Sequence, residues 1–138
     1  MTIEKRRIVA YLAGRIISAR KPSGVYDQTS GTWTEVGAMD APNHLSLYDY
    51  ARACIISVVG SPDNLYLYDC GSGRHIQLKI NGSRFSGYDF ETQTFFNGSV
   101  SGNSIFFCDF QHSDYFKYST DRPPRASRSL PAQPEFRR

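Results

Sequence analysis

The sequence predicts an all-β fold, an up-and-down antiparallel meander of about ten strands that closes, or nearly closes, into a barrel. The first observation behind this prediction is a repeat. Asp49, Asp69, Asp89 and Asp109 follow one another at intervals of 20 residues, and Asp27 precedes Asp49 by 22 residues. A fixed period of this length indicates a chain built from one small unit that is repeated.

The second observation is the alternation of side chains around each aspartate. Mostly apolar residues stand two positions before it and seven positions after it, with further apolar residues at alternating positions. Period-two alternation is typical of a strand with one buried face, so each unit is predicted to be a 20-residue β-hairpin. The residues two before are Val25, Leu47, Leu67, Gly87 and Phe107, and those seven after are Thr34, Ile56, Ile76, Phe96 and Phe116.

The third observation is turn chemistry between the units, at residues 61–64, 81–83 and 101–103. Clusters of Gly, Asn, Ser and Pro between β-rich runs are typical of tight connections between strands. An isolated hairpin is marginally stable in water, so the units must bury one face together. Closure into a barrel also removes exposed strand edges, whereas an open, curled sheet is the alternative.

A four-residue loop after each aspartate sets the register within each hairpin. The predicted pairs are Tyr26 with Trp33, Tyr48 with Ile55, Tyr68 with His75, Tyr88 with Phe95, and Cys108 with Tyr115. Cross-strand aromatic pairs of this kind stabilise a sheet. They form an aromatic row on the face opposite the aliphatic one, and the same face becomes polar further along, at Ser86 and Asn97.

The repeated aspartate has two interpretations. It can fix the loop by accepting hydrogen bonds from backbone N–H groups two or three residues later. Alternatively, the aspartates form a rim of carboxylates that, with the aromatic row, binds sugar hydroxyls or a cation. The candidate ligand-binding residues are Trp33, Tyr48, Asp49, Tyr68, Asp69, Tyr88, Asp89, Phe95 and Tyr115.

No metal site, cofactor or catalytic machinery is predicted. One aspartate in each loop supplies too few oxygens for calcium, and the histidines and cysteines lack zinc spacing. The sequence contains no nucleophile elbow, phosphate-binding loop or metal-binding helix motif. We therefore expect a protein without enzymatic activity.

Charge divides the chain into three parts. Residues 1–21 carry a net charge of +5, residues 22–120 carry −5, and residues 121–138 carry +3. The first part is expected to be a strand or a short helix that plugs or edges the sheet, and the Pro- and Arg-rich last part is expected to be disordered. The basic ends either contact an anionic or protein partner, lie on their own acidic domain, or serve solubility. Nucleic acid is not an expected partner, because the aromatic residues sit on an acidic domain.

Cys54, Cys70 and Cys108 occupy three different positions in the repeat, which favours reduced thiols over a disulfide framework. A cytoplasmic location is therefore expected. Secretion is less favoured, because the apolar run at residues 8–14 is at the lower limit for a signal peptide. No segment is long enough to predict a membrane span.

Three functions are consistent with these observations. The first is a non-enzymatic binding module that recognises a glycan or other polar ligand on the aromatic and aspartate rim. The second is a barrel that encloses a small apolar ligand. The third is an assembly subunit that docks through its basic termini.

In repeat length and aromatic content, the chain resembles two hairpin-repeat families. These are the membrane-occupation-and-recognition repeats and the choline-binding repeats of bacterial surface proteins. The tryptophan and glycine patterns of both families are absent, since Trp33 is the single tryptophan. The resemblance therefore carries over no site residues.

Overall fold

A computed structural model describes residues 1–41 and 44–123. Ten antiparallel strands follow one another in chain order and close into a barrel, so the predicted fold class is confirmed. The strands follow one helix, α1 (Ile3–Ser18). They are β1 (Gly24–Asp27), β2 (Thr32–Ala41), β3 (His44–Asp49), β4 (Cys54–Ser61), β5 (Asn64–Asp69), β6 (Arg74–Asn81), β7 (Arg84–Asp89), β8 (Thr94–Ser101), β9 (Ser104–Asp109) and β10 (Asp114–Ser119).

The predicted register within the hairpins is confirmed in all five units. Tyr26 pairs with Trp33, Tyr48 with Ile55, Tyr68 with His75, Tyr88 with Phe95, and Cys108 with Tyr115. The seam that closes the barrel is short, with Tyr26 opposite Ser119 and Asp27 opposite Tyr118.

Each hairpin loop has the same backbone conformation. The residue four after the aspartate has a positive φ in every repeat, at Gly31, Ala53, Gly73, Gln93 and Ser113. The aspartate carboxylate accepts hydrogen bonds from N–H groups two or three residues later, for example from Glu91 to Asp89 at 3.0 Å. The loop-fixing interpretation of the repeated aspartate is therefore confirmed.

The N-terminal segment is a helix that fills the barrel, so it plugs the sheet and does not edge it. Thr2 caps its first turn, with its side chain accepting from the Lys5 N–H at 3.3 Å. Residues 8–13 are at most 1% exposed, and α1 contacts β1, β2, β6, β8 and β9, which lie around the barrel. A helix that is buried on every side needs no polar stripe, and this segment has none between Ile8 and Gly14.

The barrel interior accommodates α1 by matching small and large side chains across strands. Gly87 pairs with Phe96, and Gly98 pairs with Phe85. A Cβ atom added to Gly87 would lie 2.4 Å from Phe96 Cζ, and one added to Gly98 would lie 2.3 Å from Phe85 Cζ. These glycines therefore provide the volume that the two phenylalanine rings occupy.

The structure corrects the prediction for the cysteines. Cys54 and Cys70 form a disulfide with a Cα–Cα distance of 6.0 Å, and it joins the second hairpin to the third. Cys108 is a free thiol and half-buried. The expectation of a cytoplasmic location rested on reduced thiols and loses that support, because structural disulfides persist in oxidising compartments.

At the C-terminal end, the structure describes the predicted tail only as far as residue 123. Residues 124–138, which hold most of the predicted disordered tail, lie outside the described residues. Arg122, at the start of that tail, lies 3.6 Å from Glu35. Within residues 1–41 and 44–123, no helix is long and apolar enough to cross a membrane.

Candidate binding site on the outer wall

The aspartates and the aromatic row lie on opposite faces of the barrel wall. Asp27, Asp49, Asp69, Asp89 and Asp109 point inward and are at most 2% exposed. The aromatic residues that precede or face them point outward, as alternation along a strand requires. The predicted rim, in which carboxylates and aromatic rings would grip one ligand together, is therefore not assembled.

Three of the five aspartates are neutralised by α1. Lys5 Nζ lies 2.9 Å from Asp89 Oδ1 and 2.7 Å from Glu91 Oε1. Arg6 Nη1 lies 3.1 Å from Asp109 Oδ2, and the Met1 amine lies 3.5 Å from the same oxygen. Arg7 Nη2 lies 3.4 Å from Asp27 Oδ2. The basic N-terminal segment therefore binds the acidic residues of its own domain, and a free N-terminal arm for an anionic partner was the wrong alternative.

Arg52 neutralises the remaining two aspartates. It donates from Nε to Asp49 at 2.7 Å and from Nη2 to Asp69 at 2.7 Å. Burial acts to raise the pKa of Asp69, but the Arg52 hydrogen bond and charge, with the Ser72 N–H, outweigh it and hold this pKa below 3.8. Burial acts to lower the pKa of Arg52, and the two carboxylates outweigh it in the same way, so the pKa of Arg52 is raised.

A tyrosine inside the barrel completes the polar cluster around Arg6. Arg6 Nε donates to the hydroxyl of Tyr118 at 3.3 Å, and the guanidinium stacks 3.8 Å above the Phe116 ring. Burial raises the pKa of Tyr118 to about 12, although Arg6 acts to lower it. Tyr118 is therefore a neutral phenol at physiological pH, and the aspartates are the anions that offset the α1 cations.

The barrel interior is occupied by protein. Ile8, Val9, Tyr11 and Leu12 of α1 pack in one core with inward residues of the strands, among them Leu67. An apolar ligand enclosed by the barrel would need the space that these side chains fill. The outer wall is therefore the surface that remains for recognition.

The closed barrel divides the predicted aromatic row into clusters that face different directions. Tyr48 contacts Tyr50, Tyr68 contacts His75, and Tyr88 contacts both Phe90 and Phe95, with ring centroids 4.8–5.2 Å apart. Trp33 is half-buried beneath Arg122, whose guanidinium carbon lies 5.6 Å from the ring centroid. Tyr115 is 74% exposed and Phe95 is 61% exposed, so these are the most accessible of the predicted aromatic residues.

A second set of exposed aromatic residues was not predicted. Tyr50, Phe90 and Phe110 each follow a repeated aspartate by one position. Phe90 and Phe110 cross to the preceding hairpin, donating backbone hydrogen bonds to the carbonyls of His75 and Phe95. The signal was present in the repeat, because three of five units carry an aromatic residue at this position.

The outer wall between β6 and β10 carries a groove with mixed chemistry. The residues of this polar groove lie in two adjacent rows that cross the strands. One row is Lys79, Ser86, Asn97, Cys108 and Tyr115, and the other is Arg84, Ser99, Phe106 and Lys117. Cations stand at the β6–β7 end, small polar side chains lie in the middle, and aromatic rings stand at the β9–β10 end. All of these residues except Lys117 line one depression, and Phe106, Tyr115 and Lys117 line the next.

Several polar side chains of the groove have donors and acceptors that no described residue pairs with. Within residues 1–41 and 44–123, the side chains of Ser86, Asn97 and Ser99 make no hydrogen bond to protein. Ser86 and Asn97 were predicted to be polar residues of the aromatic face, and the structure places them in the same cross-strand row as Tyr115. The cations of the groove were not predicted as site residues, although the strand register alone brings Lys79 opposite Ser86.

These features define a class of protein: a closed hairpin-repeat barrel with an internal helix and a polar, aromatic groove on its outer wall. Comparison with known protein families, curated proteins and solved structures finds no match.

Proposed function

We propose that this protein is a non-enzymatic binding module that recognises a glycan through the polar groove on its outer wall. The observation that carries the proposal is the combination of exposed aromatic faces with neutral hydrogen-bonding side chains that no residue in the described part of the chain pairs with. Phe106 is 44% exposed and Tyr115 is 74% exposed, beside Asn97 and Ser99.

Sugars suit this combination of groups. The C–H faces of a pyranose ring pack on an aromatic ring, while amide and hydroxyl side chains bond the equatorial hydroxyls. Recognition of this kind requires donors and acceptors that are not already paired, because a paired group gains nothing on binding. The barrel supports it by holding these side chains on regular strands, so little conformational entropy is lost when a ligand binds.

The proposal keeps the ligand class expected from sequence and changes the residues that serve it. Tyr115 remains a binding residue, whereas Asp49, Asp69 and Asp89 contribute to the barrel interior. The groove depends on the side chains of Asn97 and Ser99 for the polar contacts that the aspartates were expected to make.

A glycan array followed by calorimetric titration tests the proposal. Tyr115→Ala is expected to weaken binding about fivefold, because an aromatic stacking contact contributes on the order of 1 kcal/mol. Asn97→Ala is expected to weaken binding of the same sugar by a similar factor through a lost hydrogen bond. Tyr50→Ala is the matched control, because Tyr50 is an exposed aromatic residue outside the groove. Absence of glycan binding, or equal losses in Tyr115→Ala and Tyr50→Ala, would rule the proposal out.

A further inference from the structure

The cations of the polar groove form no ion pair with a carboxylate of the described residues. Lys79, Arg84 and Lys117 are exposed and make no ion pair within the described residues, 1–41 and 44–123. Of the other two cations of the repeat domain, Arg52 is paired with two aspartates, and Arg74 is exposed outside the groove without an ion pair in the described residues. The groove thus holds positive charge that the fold does not use.

The carboxylates of the domain are largely directed away from the groove. Five of them form the buried ring of aspartates, where α1 and Arg52 neutralise them. Among the described residues, Asp63 is the one carboxylate that lines the groove, and it accepts a hydrogen bond from Ser61 at 2.7 Å. The surface that a ligand meets is therefore basic, although the repeat domain as a whole is acidic.

From this charge distribution we infer that the groove binds acidic glycans, whose sugars carry a carboxylate or a sulfate group. The inference rests on the proposed function and specifies its ligand class. Arg84, Ser99 and Phe106 are consecutive across three adjacent strands, so Arg84 and Phe106 are separated by about 10 Å along the wall. A sugar ring over Ser99 can therefore direct its acid group to Arg84 and its apolar face to Phe106.

Lys79 and Lys117 extend the same pattern to an oligosaccharide. Lys79 lies beside Ser86 at the β6 end, and Lys117 Nζ lies 5.1 Å from the Phe106 ring centroid at the β10 end. The cations at the two ends are separated by about four strand spacings, or about 19 Å along the curved wall. The side chains of Ser86, Asn97 and Ser99 lie between these cations, and such neutral hydrogen-bonding groups suit the hydroxyls of a sugar chain better than the continuous phosphates of a nucleic acid.

The test compares matched acidic and neutral ligands on the full chain. One pair is tetragalacturonate and its methyl ester, and the other is a heparin-derived hexasaccharide and its desulfated, N-acetylated and carboxyl-reduced form. The acidic member of at least one pair is expected to bind about tenfold more tightly, through two or three exposed charge contacts. That preference is expected to shrink at high ionic strength, because exposed charges are screened.

Substitutions test whether the groove cations cause the preference for acidic ligands. Lys79→Gln with Arg84→Gln is expected to remove most of the preference, measured as the ratio of the Kd values of the neutral and acidic members of a pair. Arg74→Gln is the control, because Arg74 is an exposed cation outside the groove. Both variants change exposed side chains without ion pairs, so both should fold.

The possible binding results separate the acidic preference from the glycan-binding proposal. Equal binding of the acidic and neutral members, lost in Tyr115→Ala, would overturn the acidic preference and leave the glycan-binding proposal intact. Absence of binding to all four ligands and to the glycan array would overturn both. Tighter binding of a dT12 oligonucleotide that depends on Arg84 would overturn the glycan class in favour of single-stranded nucleic acid.

Discussion

At the scale of the residue, the repeated aspartate serves the loop and the barrel interior at once. One carboxylate oxygen accepts the loop N–H groups, and the carboxylate also binds a cation inside the barrel. Because these aspartates are buried, removing a cation leaves a charge that water cannot solvate. The cost of losing the cation should therefore depend on the ionisation of its aspartate.

Arg52→Gln is expected to lower the free energy of unfolding by about 3 kcal/mol at pH 7, because it leaves Asp49 and Asp69 without their cation. Arg52 holds the pKa of Asp69 below its usual range, so the Asp69 contribution is fully present above the unfolded-state pKa and is lost as the pH falls through the folded-state pKa. Urea unfolding at pH 7 and at pH 2.5 measures the difference. Arg74→Gln is the exposed control, and a penalty for Arg52→Gln that grows in acid would contradict the assignment.

The hairpin loops give a second prediction at this scale. Gln93 has a φ of +57°, a conformation that glycine adopts without steric cost. Gln93→Gly is therefore expected to raise the free energy of unfolding by about 0.5–1 kcal/mol, the relief of strain exceeding the entropy cost of glycine. Gln111→Gly is the matched control in another loop and should be destabilising, since Gln111 has no positive φ. Equal effects of the two substitutions on the chemical denaturation midpoint would refute this account.

At the scale of the element, α1 is held by both apolar packing and buried ion pairs. Its apolar residues fill the barrel, and its first two turns place Lys5, Arg6 and Arg7 against three aspartates on strands far away in sequence. The ion pairs fix which end of the helix faces the hairpin loops, because cations at the other end would meet no carboxylate ring.

Lys5→Met tests this anchoring. Lys5 is 1% exposed, so the substitution leaves Asp89 buried without its cation and is expected to cost about 3–5 kcal/mol. Adding Asp89→Asn removes the unpaired charge, and the double variant should recover at least about 1 kcal/mol relative to additivity. Urea denaturation of the two single variants and the double variant gives the coupling energy. Strictly additive losses would show that the pair does not anchor α1.

The sequence predicted the strands more completely than it predicted the helix. Alternation and turn residues predict the ten strands and the register within each hairpin, since both are local consequences of the 20-residue unit. The position of α1 inside the barrel depends on the interior volume of a closed ten-stranded sheet. No local sequence pattern predicts that volume. Its apolar run, Ile8–Gly14, is compatible with strand and helix alike.

The disulfide was missed for a related reason. Cys54 is five residues after Asp49, whereas Cys70 is one residue after Asp69, so comparison within the unit separates them. The register between hairpins brings these two positions together, as it brings Phe90 against the backbone of His75 one repeat later. Contacts between units were therefore the part of the fold that the repeat alone did not predict.

At the scale of the whole molecule, the helix and the barrel form one core. A chain that lacks residues 1–19 would expose the inward apolar face of the barrel and leave three aspartates without cations. We expect this chain to lose its cooperative urea transition and to bind a hydrophobic dye. A synthetic peptide of residues 1–19 should restore the transition, and a truncated barrel that unfolds cooperatively by itself would contradict a shared core.

The function also belongs to the whole molecule, because closure decides which faces meet solvent. With α1 inside and the aspartates neutralised, the proposed glycan recognition falls to side chains on the outer wall. The polar groove spans five strands from three hairpins, so no single repeat could form it.

The most direct test of this account is a map of backbone amide shifts by NMR while the oligosaccharide that gives the strongest array response is titrated. The account predicts that the largest shifts fall on outward positions of β6–β10, around Asn97, Ser99 and Tyr115. Shifts centred on the hairpin loops that hold the aspartates, on the opposite side of the barrel, or nowhere in the protein would contradict it.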